Sequence, residues 1–555
     1  MSAAISPFDA LAERYAVRLS ALDPIEATNA GAPGNDDALT DYSPEGAQAR
    51  ADLARDTLRE LDGLSAPQDP VDRVTAASLR ERLGVQLDLH AAGRSVGALD
   101  VIASPLQDIR DVFDLMAAGT PAADELLLTR LGAVPGAVDS AIEGLRARVA
   151  GLSGDQPWPF PALQVREVTA QARAAGDLVS ANLSRLSAPV PDGMADSVRQ
   201  AFARYAGVLH DEIAPLAVGF DEPGGLGVGR EAYPLHSRAF LGTTIDVDET
   251  YAWGQELLAG IVAQQAEIVA DLYPELTGDG AVGEALRRLD SEERYTLRGT
   301  DALRTWMQEK SDAAVSALTG THFDIPEDLT RLACRIAPSA SGGIYYTAPS
   351  ADLIRPGTMW WSVPKGQDTF HTWQETTTVY HEGVPGHHLQ IGQAVVSPRL
   401  NRWRKLFSFT SGHGEGWALY AERLMADLGF LDDPGERMGM LDSQRLRAAR
   451  VVLDIGVHCG LEAPTEVGGG AWNYDKAWTF LTSHCAMDRE VLRFELHRYL
   501  GWPGQAPSYS IGQRVWESTR DAYLAAHTNA TVREFHTEAL ALGGLGLDTL
   551  TAALS

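Results

Sequence analysis

Residues 376–388 read Thr-Thr-Thr-Val-Tyr-His-Glu-Gly-Val-Pro-Gly-His-His. An apolar pattern with helical spacing continues after the last histidine, at Leu389, Ile391 and Val395. The stretch therefore predicts a helix in the protein core, and this helix carries several histidines on or near its buried side.

The same stretch concentrates groups that bind metals. His381, Glu382, His387 and His388 fall within eight residues. Imidazole nitrogens and carboxylate oxygens are ligands that suit zinc, and a carboxylate next to a ligand suits a general base that activates water. We therefore expect a metal-dependent hydrolase, with His381 as a ligand and Glu382 as the general base.

The second ligand is harder to assign. Zincin helices hold their two histidines four residues apart, and position 385, four residues after His381, is a proline. In a straight helix His388 would share the face of His381 but lie two turns, roughly 10 Å, along the axis. A bulge or looped-out turn at the Pro-Gly step would bring His387 to the second ligand position. We favour His387 and keep His388 as the alternative ligand; otherwise His388 would support the site or contact substrate.

A third ligand is expected from residues 411–422, which read Ser-Gly-His-Gly-Glu-Gly-Trp-Ala-Leu-Tyr-Ala-Glu. Glycines beside Glu415 allow a close approach of another helix or of a metal, and Glu422 lies seven residues on, on the same face. We predict that Glu415 binds the metal and that Glu422 orients a histidine ring. His413 is a candidate substrate contact. The alternative is that both glutamates are solvated surface residues.

Helical periodicity dominates the 555 residues, of which 45% are hydrophobic. It recurs at 6–22, 47–64, 71–92, 121–150, 160–186, 193–213, 248–273 and 300–318. Two short β-prone runs, at 344–347 and 359–363, predict a small hairpin. The predicted fold class is all-α, mainly helical, with a small antiparallel β element. We expect an N-terminal helical region at 1–230 and a catalytic helical region at 231–555, in one continuous globular unit.

Charge and targeting signals limit the classes of partner. The net charge of -29 argues against nucleic acid or an anionic membrane surface, since both would repel the protein. The three cysteines, which are far apart, do not form a disulfide framework. We find neither an export signal nor a membrane-spanning apolar run, so we expect a cytoplasmic protein.

Further site residues are expected on a polar stripe formed by Arg447, Arg450, Asp454 and His458, which are spaced three or four apart. These groups either form an internal salt-bridge network or line a cleft. In a cleft, Arg447 or Arg450 would bind a substrate carboxylate, and His458 would hydrogen-bond the tetrahedral intermediate.

Three tyrosines have two interpretations each. Tyr509 follows a turn and opens a helix, where it either donates its hydroxyl to a developing oxyanion or packs in the core. Tyr345 and Tyr346, in the first β-prone run, either contact substrate or serve structure.

Taken together, these motifs resemble a bacterial family of unknown function with the signature His-Glu-x-x-Pro-Gly-His-His followed by Glu-Gly-Trp-Ala-Leu-Tyr. The resemblance also rests on residues 229–233, 355–357 and 503–506, and it covers most of the chain. That family is similar in fold to the carboxypeptidase Taq type of zinc peptidase, which implies a helical body with a long active-site groove. Those peptidases carry His-Glu-x-x-His without an insertion, and this chain departs from that spacing.

We therefore expect a zinc-dependent hydrolase of amide bonds, either carboxypeptidase-like or a short-peptide peptidase. Its cofactor would be one Zn²⁺ ion, with another divalent transition metal left open. Its substrate would be a small peptide or an N-acyl amino acid, and we expect neither nucleic acid nor a membrane as partner. A homodimer is left open. The alternatives are a zinc amidohydrolase or esterase of a non-peptide metabolite and a non-catalytic peptide-binding protein with a degenerate metal site.

Overall fold

The computed structural model describes residues 5–153, 157–278, 280–337, 343–350 and 353–555, apart from the side chains of 177–181. It is 65% helical with a few short strands, which confirms the predicted mainly helical fold class. No helix in these ranges is both long and apolar enough to cross a lipid bilayer.

The chain forms two compact units, and the first comprises Met1–Ala239, Gly456–Trp478 and Arg493–Gly504. Many of its helices begin in the same way, with a proline in the first turn preceded by Ser6, Ser43 or Thr120, whose hydroxyl accepts a backbone N–H. The helices up to Leu241 are α1 Pro7–Leu22, α2 Pro24–Asn29, α3 Pro44–Asp62, α4 Pro70–Ala91, α5 Pro105–Asp111, α6 Pro121–Gly151, α7 Ala162–Leu183, α8 Met194–Val208 and α9 Tyr233–Leu241.

Apolar side chains from α5 to α8 form the core of this unit, as the helical periodicity predicted. They include Ile109, Leu127, Val134, Val168 and Phe202. The helix predicted at 193–213 ends earlier than expected, because the chain continues beyond Val208 as a π-helical turn.

The second unit comprises Phe240–Ile455, Thr479–Leu492 and Gln505–Ser555. The remaining helices of the chain are α10 Val247–Leu272, α11 Ala281–Ser291, α12 Thr300–Leu318, α13 Thr372–Glu382, α14 His387–Val396, α15 Arg402–Leu406, α16 Ser411–Asp427, α17 Pro434–Cys459, α18 Tyr474–His484, α19 Arg489–Gly501, α20 Ser508–Ala526, α21 Val532–Ala541 and α22 Leu547–Leu554. The strands are β1 Thr296–Arg298, β2 Leu332–Ile336, β3 Ile344–Thr347, β4 Gly357–Trp361 and β5 Thr369–His371.

The predicted hairpin is present, since β3 and β4 pair in antiparallel fashion with Tyr345 opposite Trp360. Strand β4 also pairs in parallel with β2, which gives a mixed sheet of order β2-β4-β3, and β1 pairs with β5 separately. Neither β2 nor the β1–β5 pair was predicted, because β2 lacks the aromatic residues that mark β3 and β4, and β1 and β5 have only three residues each. Leu332 and Met359 from this sheet pack with Val379 of α13, and this contact fixes the helix that carries His381.

Candidate metal centre

The His-rich stretch folds as two helices separated by a looped-out turn at residues 383–386. The Gly386 N–H donates to the Tyr380 carbonyl at 3.1 Å, so the chain turns tightly at the end of α13. A Cβ at Gly386 would lie 1.9 Å from the His381 carbonyl oxygen, so only glycine fits there. Helix α14 then begins at His387, which confirms that the Pro-Gly step interrupts the helix.

Trp417 of α16 holds this turn in place. Its buried indole N–H donates to the Pro385 carbonyl at 2.8 Å and lies 3.3 Å from the Gly386 carbonyl. The sequence interpretation assigned no role to Trp417, because nothing local in the sequence connects it to a turn about thirty residues earlier.

Helices α13, α14 and α16 bring His381, His387 and Glu415 together. Their candidate ligand atoms all lie within 4.8 Å of one another. One Glu415 carboxylate oxygen is 3.3 Å from His381 Nε2 and 3.6 Å from His387 Nε2. Ligand atoms around a tetrahedral ion with bonds of 2.0–2.2 Å are about 3.4 Å apart. The group could therefore bind a metal ion.

Glu422 orients the first of these histidines. One of its oxygens accepts from His381 Nδ1 at 2.7 Å, and the other accepts from the Thr377 hydroxyl at 2.6 Å. With Nδ1 donating, the Nε2 lone pair of His381 faces Glu415 and is available to a cation. No role for Thr377 was predicted from the sequence, although Thr377 lies four residues before His381 and therefore on the same face of α13.

Two carboxylates act on the first histidine of the site. Burial lowers the pKa of His381, but the carboxylates of Glu415 and Glu422 raise it more, to about 10. Burial raises the pKa of Glu415, but hydrogen bonds from His381 and His387 hold it well below its usual range. The two carboxylates therefore favour a positive charge at His381.

Glu382 follows His381 at the end of α13, and His381, His387 and Glu415 act electrostatically on its carboxylate. Its side chain is 7% exposed, and within the described ranges no donor hydrogen-bonds its carboxylate. Burial raises the pKa of Glu382, while His387, His381 and Arg447 oppose this shift. A buried carboxylate without a donor, beside a candidate metal site, has the character of a proton acceptor.

His388 does not fit the predicted roles of alternative ligand or substrate contact. It is 0% exposed; its Nε2 lies 2.9 Å from the Leu329 carbonyl, and the Tyr346 hydroxyl lies 3.0 Å from its Nδ1. Both ring nitrogens are occupied, so this histidine connects α14 to the β3 strand instead.

His413 is also not the substrate contact that we expected. It is 1% exposed and lies against the rings of Phe409 and Trp516. Gln390 donates to its Nδ1 at 3.2 Å, and burial lowers the pKa of His413 to about 3. A neutral imidazole enclosed by aromatic side chains belongs to the core.

His458 does not fit the predicted catalytic role either. It belongs to the first unit, where Val228 N–H donates to its Nδ1 at 3.3 Å and its Nε2 lies 2.9 Å from the Tyr499 carbonyl. The ring stacks on Tyr233. Main-chain groups therefore occupy both nitrogens that would have to act on an intermediate.

Of the other expected residues of the second unit, Arg447, Arg450 and Tyr509 lie close to one another. The guanidinium carbons of Arg450 and Arg447 lie 5.0 Å and 5.9 Å from the centre of the Tyr509 ring. The Arg447 Nη1 donates to the Ser443 carbonyl at 3.1 Å, but its buried Nε has no acceptor among the described residues. Tyr345 is 38% exposed on β3 and stays a predicted substrate contact. Tyr346, whose hydroxyl contacts His388, serves structure.

Two solved structures share this fold over nearly the whole chain. A putative lipoprotein from Colwellia psychrerythraea superposes with a TM-score of 0.81 and 20% identity, covering 99% of this chain and 98% of its own. A putative lipoprotein of unknown function from Shewanella oneidensis gives a TM-score of 0.75 and 15% identity, with 99% of each chain covered. At these identities the likeness shows the fold alone. A comparison with curated proteins found no match.

The names of these two structures contradict one prediction. A lipoprotein is either anchored to a membrane through covalent lipid or secreted. The prediction from the sequence was a cytoplasmic protein. The cytoplasmic prediction is therefore wrong. That prediction depended on the lack of a recognisable export signal, and this lack does not establish where a protein resides.

The comparison with family models covers nearly the whole sequence. Residues 24–554 match the family described as "Bacterial protein of unknown function (DUF885)". This is the kind of family that the paired motifs at 381–388 and 415–420 resemble. The match extends over both compact units, and the protein belongs to this bacterial family.

Proposed function

We propose that this protein is a zinc-dependent metallohydrolase that cleaves amide bonds in short peptides. One observation carries the proposal: His381, His387 and Glu415 converge on one point, beside the Glu382 carboxylate, which no donor within the described ranges hydrogen-bonds. Two imidazoles and one carboxylate are a ligand set of catalytic zinc sites, which leave a coordination position open for substrate or water.

The donor set fits zinc on chemical grounds. His381 and His387 would hold the ion through Nε2 and Glu415 through its carboxylate, while Glu422 keeps His381 in the required tautomer. When bound, zinc would polarise the scissile carbonyl and lower the pKa of a water molecule.

Glu382 would move the proton. Its carboxylate would accept a proton from the attacking water and return it to the nitrogen of the leaving amine. Burial favours this role, because a pKa above the usual carboxylate range makes Glu382 a stronger base and lets it release the proton as an acid.

Arg447 and Tyr509 would bind and orient the substrate. The Arg447 guanidinium has no carboxylate partner among the described residues, and its charge acts on Glu382. A free substrate carboxylate would supply that partner, which favours short peptides or N-acyl amino acids. The Tyr509 hydroxyl would donate to the oxyanion, and the cations beside its ring favour the approach of negative charge.

The test compares wild type with Glu382→Gln, using short peptides, capped peptides and N-acyl amino acids, and measures bound metal by mass spectrometry. We expect Glu382→Gln to keep its metal and to lose at least about a hundredfold in rate, as for loss of a general base. Glu375→Gln is the matched control, since it removes another carboxylate from α13 that lies outside the metal group.

Three results would contradict the proposal or its mechanism. If the wild-type protein contains no metal and binds peptides without cleaving them, it is a binding protein and not an enzyme of this kind. Equal cleavage by wild type and Glu382→Gln would show that another group is the base. If the protein cleaves only non-peptide esters or amides, it belongs to a different class of hydrolase.

A further inference from the structure

Two guanidinium groups share one indole ring in the first unit, far along the sequence from the metal group. The Arg148 guanidinium carbon lies 3.6 Å from the centre of the Trp158 ring, and that of Arg94 lies 5.1 Å from the same centre. Arg148 also lies over the ring of Phe160, at 4.0 Å. Two positive charges are thus held close together against aromatic faces, where water screens them poorly.

Neither arginine has an ion-pair partner within the described ranges. All the hydrogen bonds of Arg148 go to main-chain carbonyls, among them those of Trp158 and Gly97 at 2.9 Å. Arg94 makes no side-chain hydrogen bond there, and its Nη1 is wholly buried without an acceptor. A buried guanidinium that lacks an acceptor is costly, so this arrangement is incomplete as it stands.

The carboxylate of Asp100 acts electrostatically on Arg148, but it does not serve as an acceptor for either arginine. The Asp100 carboxylate accepts from the N–H groups of Ile102 and Ala103 at 2.9 Å and 2.6 Å. Burial raises the pKa of Asp100 to about 6, although these hydrogen bonds and Arg148 oppose the shift. Asp100 is therefore engaged by the backbone, and no carboxylate acts on Arg94.

Other buried donors near the two arginines also lack partners. The Nε2 of His236 and the hydroxyl of Tyr205 are wholly buried, and neither has a hydrogen-bond partner in the described part of the chain. Arg148 acts electrostatically on both residues, and Arg94 acts on His236. Burial and then these positive charges lower the pKa of His236 to about 4, so the imidazole is neutral and can donate one N–H.

An anion at Arg94 would neutralise part of the excess positive charge and accept from the buried Nη1. Its further oxygens could accept from a neutral donor such as His236 Nε2, since Arg94 acts electrostatically on that residue. We propose that Arg94, His236 and the Trp158-bound Arg148 form a binding site for a small oxyanion, a phosphate or carboxylate group. The site lies entirely in the first unit, so it does not depend on the metal group or on the proposed hydrolysis.

The test uses the full chain and titrates inorganic phosphate and acetate separately by calorimetry, with ionic strength held constant by chloride. We expect saturable binding of at least one of the two anions to wild type, and the stronger one identifies the source of the oxygens. Arg94→Gln should weaken that binding at least about tenfold, as expected for loss of a charge-assisted bond. Arg18→Gln, which removes an exposed arginine from α1, should leave binding unchanged.

Thermal unfolding separates a binding role from a structural one. In chloride buffer Arg94→Gln should unfold at the same temperature as wild type or higher, because it removes a half-buried guanidinium whose Nη1 has no acceptor among the described residues. Adding the bound anion should raise the unfolding temperature of wild type and not that of Arg94→Gln. If Arg94→Gln fails to fold, His236→Asn, which removes the Nε2 donor, replaces it. Equal anion binding by wild type and the folded variant, or no binding by wild type, overturns the proposal.

Discussion

Trp417 donates its indole N–H to the Pro385 carbonyl at 2.8 Å, and this bond ties helix α16 to the turn between the two metal-site histidines. Glu415, two residues before Trp417, is the candidate third ligand. One short segment of α16 therefore places a ligand and also fixes the turn that delivers His387. This arrangement explains how two histidines six residues apart can meet.

Replacing Trp417 by Phe should weaken metal binding by about tenfold, since the ring remains but the donor to Pro385 is lost. Titration with zinc against a competing chelator measures the change. Trp516→Phe is the matched control: Trp516 is equally buried and donates to the His413 carbonyl at 3.0 Å, away from the turn. Both variants should lose stability, but only Trp417→Phe should lose affinity. Equal affinities would show that the turn holds its shape without the bond.

The Thr377 hydroxyl should matter to metal affinity through Glu422. Thr377→Val keeps the side-chain shape but leaves one Glu422 oxygen without its 2.6 Å hydrogen bond. Because Glu422 orients His381, we expect zinc affinity to fall by roughly 10–100-fold. Thr377→Ser restores the hydroxyl and should restore affinity; if Ser and Val variants bind zinc alike, Thr377 has no orienting role.

The two adjacent histidines should behave differently. His387→Ala should lose bound metal after dialysis, because one of three ligands is gone. His388→Gln should keep its metal but lose about 1–3 kcal/mol in free energy of unfolding, since its contacts with Leu329 and Tyr346 are buried. Metal content and urea unfolding of both variants check this. Metal loss confined to the His388 variant would reverse the ligand assignment.

Helices α16 and α20 pack so closely at Gly416 that a side chain there should not be tolerated. A Cβ there would lie 2.4 Å from the Gly512 carbonyl carbon, so Gly416→Ala should destabilise the fold by about 1–3 kcal/mol or more through overpacking. Gly260 of α10 has no atom within 4 Å of such a Cβ, and Gly260→Ala should stabilise by about 0.5–1 kcal/mol. Chemical denaturation gives both values, and a neutral Gly416→Ala would contradict the tight packing.

Arg447 should discriminate between free and blocked peptide carboxylates. If its guanidinium binds a substrate carboxylate, Arg447→Gln should raise KM at least about tenfold for peptides with a free C-terminus. The same peptides with an amidated C-terminus provide the internal control, because they offer no carboxylate to lose. Equal effects on both sets would place Arg447 in the structure of α17 and not in substrate binding.

The sequence by itself determined the helical fold class and the residue types of the candidate metal group. Apolar spacing is a local property, so helices such as α6 and α12 start and end close to where their periodicity does. The types of ligand follow from His381, Glu415 and the break at Pro385, which are visible in the chain. The hydrogen bond of Glu422 to His381 also agrees with expectation.

Only the tertiary structure decided which polar groups remain available. His388, His413 and His458 were each predicted to act in the site, but groups from distant parts of the chain hydrogen-bond their nitrogens or pack against their rings. Arg94 and Arg148 belong to no motif in the sequence, yet folding places both guanidinium groups near one indole ring without an ion-pair partner among the described residues. Such outcomes depend on contacts between residues far apart in the chain, and periodicity and local motifs carry no information about those contacts.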